Sequence, residues 1–380
     1  MRFGLFIPQG WRFDLVDVAP ADQWATMLSL VHRAENQAAG EAVPGGEFAW
    51  ESAWVFDHFH TVPEPSTEAT HEAWSLMAAF AAATQRIRLG QMCTCMAYRE
   101  PTYLAKVAST IDTISGGRVE MGIGAGWYEH EWRAYGYGFP TAGERLRALD
   151  EGVQIMASMW RTGSSGTFEG KRYQVDGALC YPQPLQQLPV GDGGAEVPSI
   201  PLWIAGGGEK KTLRIAAQHA QYTNFDGSPE GFTHKSGVLE AHCKEVGRDF
   251  GEITRSTNYN VVIGENDAEV AERLDWIEAH LRTSVPGTAD REITNWRNGL
   301  LVGTPEQIVE RLQGMGSRGL GYAITYFQEA AYDTSGLELF EKQVIPELCL
   351  ATVLSRPGST RRISPPRSPS RTRCPRRARS

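Results

Sequence analysis

Three groups of residues in this 380-residue chain have the types and spacing for chemistry. Asp57, His58 and His60 follow the apolar run SAWVF, so a cluster of ionisable side chains stands where a strand would end. Histidine titrates near neutrality and therefore suits proton transfer. Gly206, Gly207 and Gly208 stand directly ahead of a helical stretch opening with Glu209 and Lys210, and free N–H groups at a helix start make an anion site. A second glycine-rich run, GIGAGWYEHEW from Gly122 to Trp132, does not make the dinucleotide fingerprint, because Trp127 stands where its third glycine would be. Tight turns between closely packed strand and helix account for either glycine run equally simply. The pair His58 and His60 also invites a metal-hydrolase reading. Such sites need further ligands at later strand ends. Here those ends are AGGG and Pro-Gln-Gly, and His219 falls within a helix, so no metal ligand is assigned.

Residues of these kinds need a scaffold, and the pattern supplies one. Strands are expected at Phe3–Pro8, Ser52–Phe56, Ile87–Met92, Arg118–Ile123, Leu202–Ala205, Tyr222–Phe225, Ser256–Ile263 and Tyr322–Tyr326. Amphipathic stretches separate them, among them Trp24–Ala39, His71–Thr84, Thr102–Ile114 and continuous helical sequence from His130 to Trp160. Strict alternation of about eight βα units predicts an α/β fold, a closed (β/α)8 TIM barrel, with strands apolar on both faces. Functional residues then belong just after each strand, which also brings in Met92, Cys93, Thr94 and Cys95. Trp74, Trp160 and Trp203 read as core, whereas Trp11, Trp127 and Trp132 lie in rim loops and suit a large flat ligand. Two stretches exceed the repeat: about 40–50 and 162–198, the latter expected to lie over the rim. Both are expected to reshape the substrate mouth. The barrel is assigned to residues 1–350.

Composition narrows the function classes. No apolar run approaches the roughly 18 residues of a spanning helix, and Pro8 breaks the N-terminal run too early for a signal peptide. Six cysteines in a chain of this length suggest reduced thiols and a cytoplasmic setting. The net charge of −8 includes nine Arg between Arg356 and Ser380, so residues 1–355 carry −17. An acidic body disfavours nucleic acid as its partner. The Arg/Ser/Pro-rich segment 351–380 has too little apolar content to offset ordering entropy and is expected to be disordered.

The stretches WVFDHFHTVPEP, RIRLGQMCTCMAYREP, TISGGRVEMGIGAGWYEHEWRAYGYGFP, PLWIAGGGEKKTLRIAA and LVGTPEQIVERL resemble, in order, the luciferase-like monooxygenase superfamily. Within it they resemble the coenzyme F420 (deazaflavin)-dependent oxidoreductases. The resemblance implies hydride transfer between the deazaflavin C5 and a C=C, C=N, C=O or alcohol carbon of a small substrate. It implies His58 as the proton-transfer residue; Trp127 stands where the glucose-6-phosphate dehydrogenase branch carries a second acid/base Glu, which argues against sugar-phosphate activity, and Glu129 or Glu131, two and four residues on, could substitute, Glu129 being the one assigned. It implies cofactor contacts from Asp57, from Met92–Cys93 at a non-prolyl cis peptide, from Thr94, and from Cys95 where relatives often carry Thr. Further contacts are implied from Ala125, Gly126 and His130, and from Gly206, Gly207 and Gly208 on the phosphate side. It also implies a homodimer. The alternatives are a flavin mononucleotide (FMN)-dependent monooxygenase, a metal hydrolase and a non-catalytic flavin-binding barrel.

Overall fold

In a computed structural model the described residues are 1–36, 50–189 and 194–348. Most of the expected 40–50 insertion and the whole 351–380 segment lie outside them. Eight parallel strands close a barrel in chain order: β1 (Arg2–Phe6), β2 (Ser52–Val55), β3 (Arg88–Gln91), β4 (Val119–Gly124), β5 (Leu202–Ala205), β6 (Tyr222–Asn224), β7 (Thr254–Ile263) and β8 (Leu320–Tyr326). Pairing of β4 with β5 and of β8 with β1 completes the ring, as the alternation of elements predicts. Two short strands lie beside it: Thr94–Cys95 against the end of β4, and Leu301–Gly303 against the outer half of β7.

The barrel interior is not uniformly apolar, contrary to expectation. Trp54, Trp203, Tyr222 and Tyr322 fill its lower half, with Trp203 and Tyr222 stacked at 4.0 Å. The Arg2 guanidinium lies 5.2 Å from the Tyr222 ring and 5.0 Å from that of Tyr322, and bonds Glu51. Arg88 pairs with buried Glu120, which also accepts from Trp203 Nε1 at 2.6 Å. Short strands tolerate such side chains because each charge meets an opposite charge or a ring, and an unpaired one would be costly. Gly4 and Gly90 make room for Trp54; a Cβ on either would come within 2.4 Å of its ring. The lower end is thereby plugged, and only the end where the strands finish, the upper end, is available for a site.

Helices wrap the ring with conventional stops and starts. Ser228 caps Pro229–Val246, Thr141 and Glu144 form a capping box on Ala142–Thr162, and left-handed Gly116, Gly163 and Gly247 end three helices. The expected continuous helix from His130 to Trp160 is two helices, Glu129–Ala134 and Ala142–Thr162. Gly136 and Gly138 at positive φ and Pro140 break it between them.

Residues 162–189 and 194–198 depart from the expected position over the rim. They form two hairpins, Thr167–Glu169 with Gln174–Asp176 and Gln187–Pro189 with Glu196–Pro198. They do not cover the upper rim. Glu151 in the middle of the preceding helix holds the first turn through the N–H groups of Lys171, Arg172 and Tyr173. Gln186 bonds Asp112, Arg88 and the Val119 carbonyl, at the end where β3 and β4 begin. A segment between a helix and the following strand returns to that end by topology. The same holds for the flank of the 40–50 stretch: Glu51 N donates to Phe3 O at the start of β1.

Candidate active site

The upper end is built by the loops after β1 to β4. Gln9 is fully buried and continues the β1–β2 pairing with its side chain. Its amide nitrogen donates to Phe56 O at 2.8 Å and its oxygen accepts from Phe56 N. This fixes an aromatic column: Phe6 stacks on Phe56 at 4.2 Å, Phe56 meets Trp11 at 4.2 Å, and Trp11 stacks on His58 at 4.4 Å with 7° between planes.

His58 is held from the other side as well. Its Nδ1 stands 2.9 Å from Oε2 of Glu131, and that oxygen also accepts from the Tyr98 hydroxyl at 3.0 Å. Oε1 accepts from the N–H groups of Phe59 and His60 at 2.7 and 2.8 Å. Burial pushes the Glu131 carboxyl up, but the bonds from His58 and those amides outweigh it and hold it below the usual carboxylate value. With Glu131 accepting, Nδ1 is the donor nitrogen and Nε2 is left to meet a ligand. Among the described residues no group bonds Nε2.

The structure does not bring Glu129 to His58. Glu129 is exposed and pairs with Arg133 one helical turn on, while Glu131 and Trp132 form the buried face of that six-residue helix. Trp132 is therefore core against Cys95 and Tyr98, whereas Trp127 remains exposed at the rim. His130 also stays outside, with its Nδ1 3.1 Å from Nδ1 of His60. Asp57 and His58 diverge. Asp57 is buried and turned towards the loop after β3, accepting from Cys95 N at 2.9 Å and from both Arg99 Nη atoms at 2.7 and 2.9 Å. It fixes that loop rather than facing the mouth.

The peptide between Met92 and Cys93 is cis and not prolyl. Cys93 and Cys95 press against the glycine run: a Cβ on Gly124 would lie 2.8 Å from Cys93 Sγ, and one on Gly126 2.5 Å from Cys95 Sγ. Burial, then the Asp57 carboxylate, pushes the Cys93 thiol up to about 12 and raises Cys95 further, so both are neutral thiols at pH 7. Thr94 is buried and donates to Gln91, whereas Ala125 and Gly126 are partly exposed beside them.

On the far side, Gly206 adopts φ +114° and donates to Asn224 O at 2.8 Å. Among the described residues nothing accepts from the N–H groups of Gly207 and Gly208. The following helix begins at Thr212, two residues later than expected. Lys235, which the sequence did not single out, approaches this loop: a Cβ on Gly207 would lie 3.3 Å from its Cε. The wall between is polar. Ser256, Asn258 and Asn260 share the inward face of β7, where Asn224 donates to Asn258 at 2.9 Å and Arg12 donates to Asn260 at 2.7 Å.

The sequence profile of the luciferase-like monooxygenase family matches residues 1–321. The chain belongs to that family. Among curated relatives of this luciferase-like protein, the pyrimidine monooxygenase RutA of Bradyrhizobium sp. (strain BTAi1 / ATCC BAA-1182) is 33% identical over 325 residues. That match covers 81% of this chain and 82% of the relative. RutA of Stutzerimonas stutzeri (strain A1501) is 29% identical over 302 residues, covering 78% and 75%. Among solved structures, an F420-dependent secondary alcohol dehydrogenase in complex with an F420-acetone adduct superposes with a TM-score of 0.69. It is 18% identical and covers 91% of this chain and 98% of that one. Membership in this family makes the chain an oxidoreductase of a group that uses flavin or deazaflavin cofactors. No helix among the described residues is long and apolar enough to cross a membrane.

Proposed function

We propose that this luciferase-like protein is a coenzyme F420-dependent oxidoreductase that moves a hydride between the deazaflavin and a carbon of a small organic substrate. The observation that carries the reading is His58, clamped through Nδ1 by a buried carboxylate and stacked on Trp11, with Nε2 unpartnered among the described residues.

The residues fit a long, flat cofactor with an anionic tail. Trp11 Nε1, close to His58, is a buried donor with no partner among the described residues. Among the same residues nothing accepts from the Gly207 and Gly208 amides, and Lys235, whose Nζ bonds Glu209 at 2.6 Å, lies close by; amides so placed suit a phosphate. A deazaflavin, when bound, supplies a hydride-carrying carbon and little reactivity towards oxygen. The protein supplies the rest. His58 gives or takes the proton at the substrate heteroatom through Nε2. Glu131 holds the ring in the tautomer that allows it and stabilises the imidazolium form. Trp11, Trp127 and Tyr128 surround the imidazole and limit water around it. Asp57 and Arg99 keep the loop after β3 in place.

A second reading, an FMN-dependent monooxygenase, draws support from the relatives named pyrimidine monooxygenases. One experiment separates the two: fluorescence-detected titration of the purified apo-protein with F420 and with FMN, side by side. Micromolar or tighter binding of F420 with at least tenfold weaker FMN is the expected result. The reverse preference overturns the F420 reading in favour of the monooxygenase.

A further inference from the structure

Away from the barrel mouth, a cavity of about 360 Å³ lies between the helix Asp267–Ser284 and the segment that follows β8. Four acids face it, Glu269, Glu272, Glu329 and Asp333, against one base, Arg273. Trp276 and Tyr332 line it too, with ring centroids 5.4 Å apart and planes at 55°, forming a corner. Both rings are more than a third exposed, so the cavity opens to solvent beside them.

Glu329 is what distinguishes this place from an acidic patch. The residue is only 5% exposed, yet among the described residues neither carboxylate oxygen has a hydrogen-bond donor. Arg273 does not repair this. Its Nη2 donates to Ser335 at 2.7 Å and its Nη1 reaches Asp333 at 3.5 Å, while Nη1 stays 3.6 Å from Glu329. The start of the helix Ser335–Gln343 closes one side, since a Cβ on Gly336 would come within 2.9 Å of Glu329 Oε1. The free space available to the carboxylate is the cavity it lines. An unmet buried carboxylate is costly, and a group bringing both positive charge and N–H donors would remove that cost.

We propose that this cavity is a binding site for a small organic ammonium cation. The cation's charged head meets Glu329, and its alkyl part lies in the Trp276–Tyr332 corner, where the rings offer apolar surface. The volume suits a ligand of several heavy atoms and is generous for a bare metal ion. Burial pushes the Glu329 carboxyl up to about 7, against the lowering by its own backbone N–H and by Arg273, with Asp333 raising it. The ligand should therefore displace a fraction of a proton at neutral pH.

The test is isothermal titration calorimetry of the full chain at pH 7.5 with n-butylammonium, with choline, and with magnesium chloride as a competing probe. The titrations are run in two buffers of different ionisation enthalpy. Saturable binding of n-butylammonium is expected, with proton release, and choline, whose nitrogen carries no hydrogen to donate, should bind more weakly. Glu329→Gln should weaken it at least tenfold and Trp276→Leu at least fivefold, whereas Glu240→Gln, on an exposed helical surface elsewhere, should leave it unchanged. Absence of saturable binding overturns the proposal. So does binding that survives both cavity substitutions, and so does saturation by magnesium alone. Trp276 is partly exposed, so its substitution keeps the test decisive if Glu329→Gln folds poorly. F420 and FMN play no part in the measurement, which therefore stands or falls apart from the function of the barrel mouth.

Discussion

Replacing Glu329 by Gln should stabilise the protein, and increasingly so as the pH rises. Among the described residues no neighbouring side chain or amide donates a hydrogen bond to this buried carboxyl, and burial pushes its folded-state value from an ordinary 4.5 to about 7. A raised acid binds more protons folded than unfolded between those two values, so its contribution to stability falls as pH climbs through that window and is fully unfavourable above it. A shift of about 2.5 units at about 1.4 kcal/mol each gives a cost near 3 kcal/mol at pH 8, and under about 1 kcal/mol at pH 5. Glutamine keeps the shape and does not titrate. Urea unfolding of wild type and Glu329→Gln at pH 5 and pH 8 reads the difference directly, because all other titrations are common to both chains. The stability gap should widen in favour of the variant by about 2 to 3 kcal/mol between those pH values. A gap independent of pH, or one that narrows towards pH 8, would show that Glu329 is compensated in the folded protein and refute the reasoning.

Three further outcomes follow from the barrel mouth. His58→Ala should lower kcat about 10²- to 10⁴-fold in steady-state assays while cofactor affinity changes only a few-fold; a kcat within a factor of a few would remove His58 from proton transfer. Glu131 is held below its usual value, so its contribution is present above about pH 4.5 and lost as pH falls through the folded value. Glu131→Gln should therefore cost about 1–3 kcal/mol at pH 7, and the gap should be smaller in acid, as chemical unfolding at pH 7 and pH 3.5 will show. Gly124→Ala should lower the melting temperature by forcing a Cβ to 2.8 Å from Cys93 Sγ, an overpacking worth about 1–3 kcal/mol. Cys93→Ala in the same chain should restore most of that loss, and Cys180→Ala none of it.

The barrel strands were legible because most are short apolar runs between turn signals; β7, ten residues with Ser256, Asn258 and Asn260 along it, shows an apolar run only at its end, Val261–Ile263. What faces inward was not legible. Arg2, Arg88 and Glu120 look like surface charges in sequence and are paired inside the barrel only because strands of different registers bring them together. The choice between Glu129 and Glu131 turned on the phase of a six-residue helix, too short to show a stripe. Reading it as part of one long helix through Trp160 hid the break that sets the phase. Trp132 beside Glu131 was the available clue, since a large apolar residue marks the face that turns inward. Lys235 and Asn258 left no local signal, because closure of the barrel alone brings β6, β7 and their helices to the glycine loop. The position of residues 162–198 was decidable from chain order, since they come after a helix and before a strand.

The buried acids of this protein show how their sequence neighbours are recruited. Glu35 accepts from the N–H groups of Gln85, Arg86 and Ile87. Glu151 does so from Lys171, Arg172 and Tyr173, and Asp112 from Leu185 and Gln186. In each case one carboxylate far away in sequence clamps consecutive amides of a loop, which satisfies the loop's backbone and the acid together. Glu131 uses the same device on Phe59 and His60 and has one oxygen left for His58. The imidazole is therefore positioned by a structural clamp common in this fold, with a single extra bond turned to chemistry. Glu329 has the burial of these acids and none of their amides. Buried Glu120 and Asp57 are met instead by arginines that donate to them, whereas Arg273 stands 3.6 Å from Glu329, outside hydrogen-bond reach, which is what sets Glu329 apart.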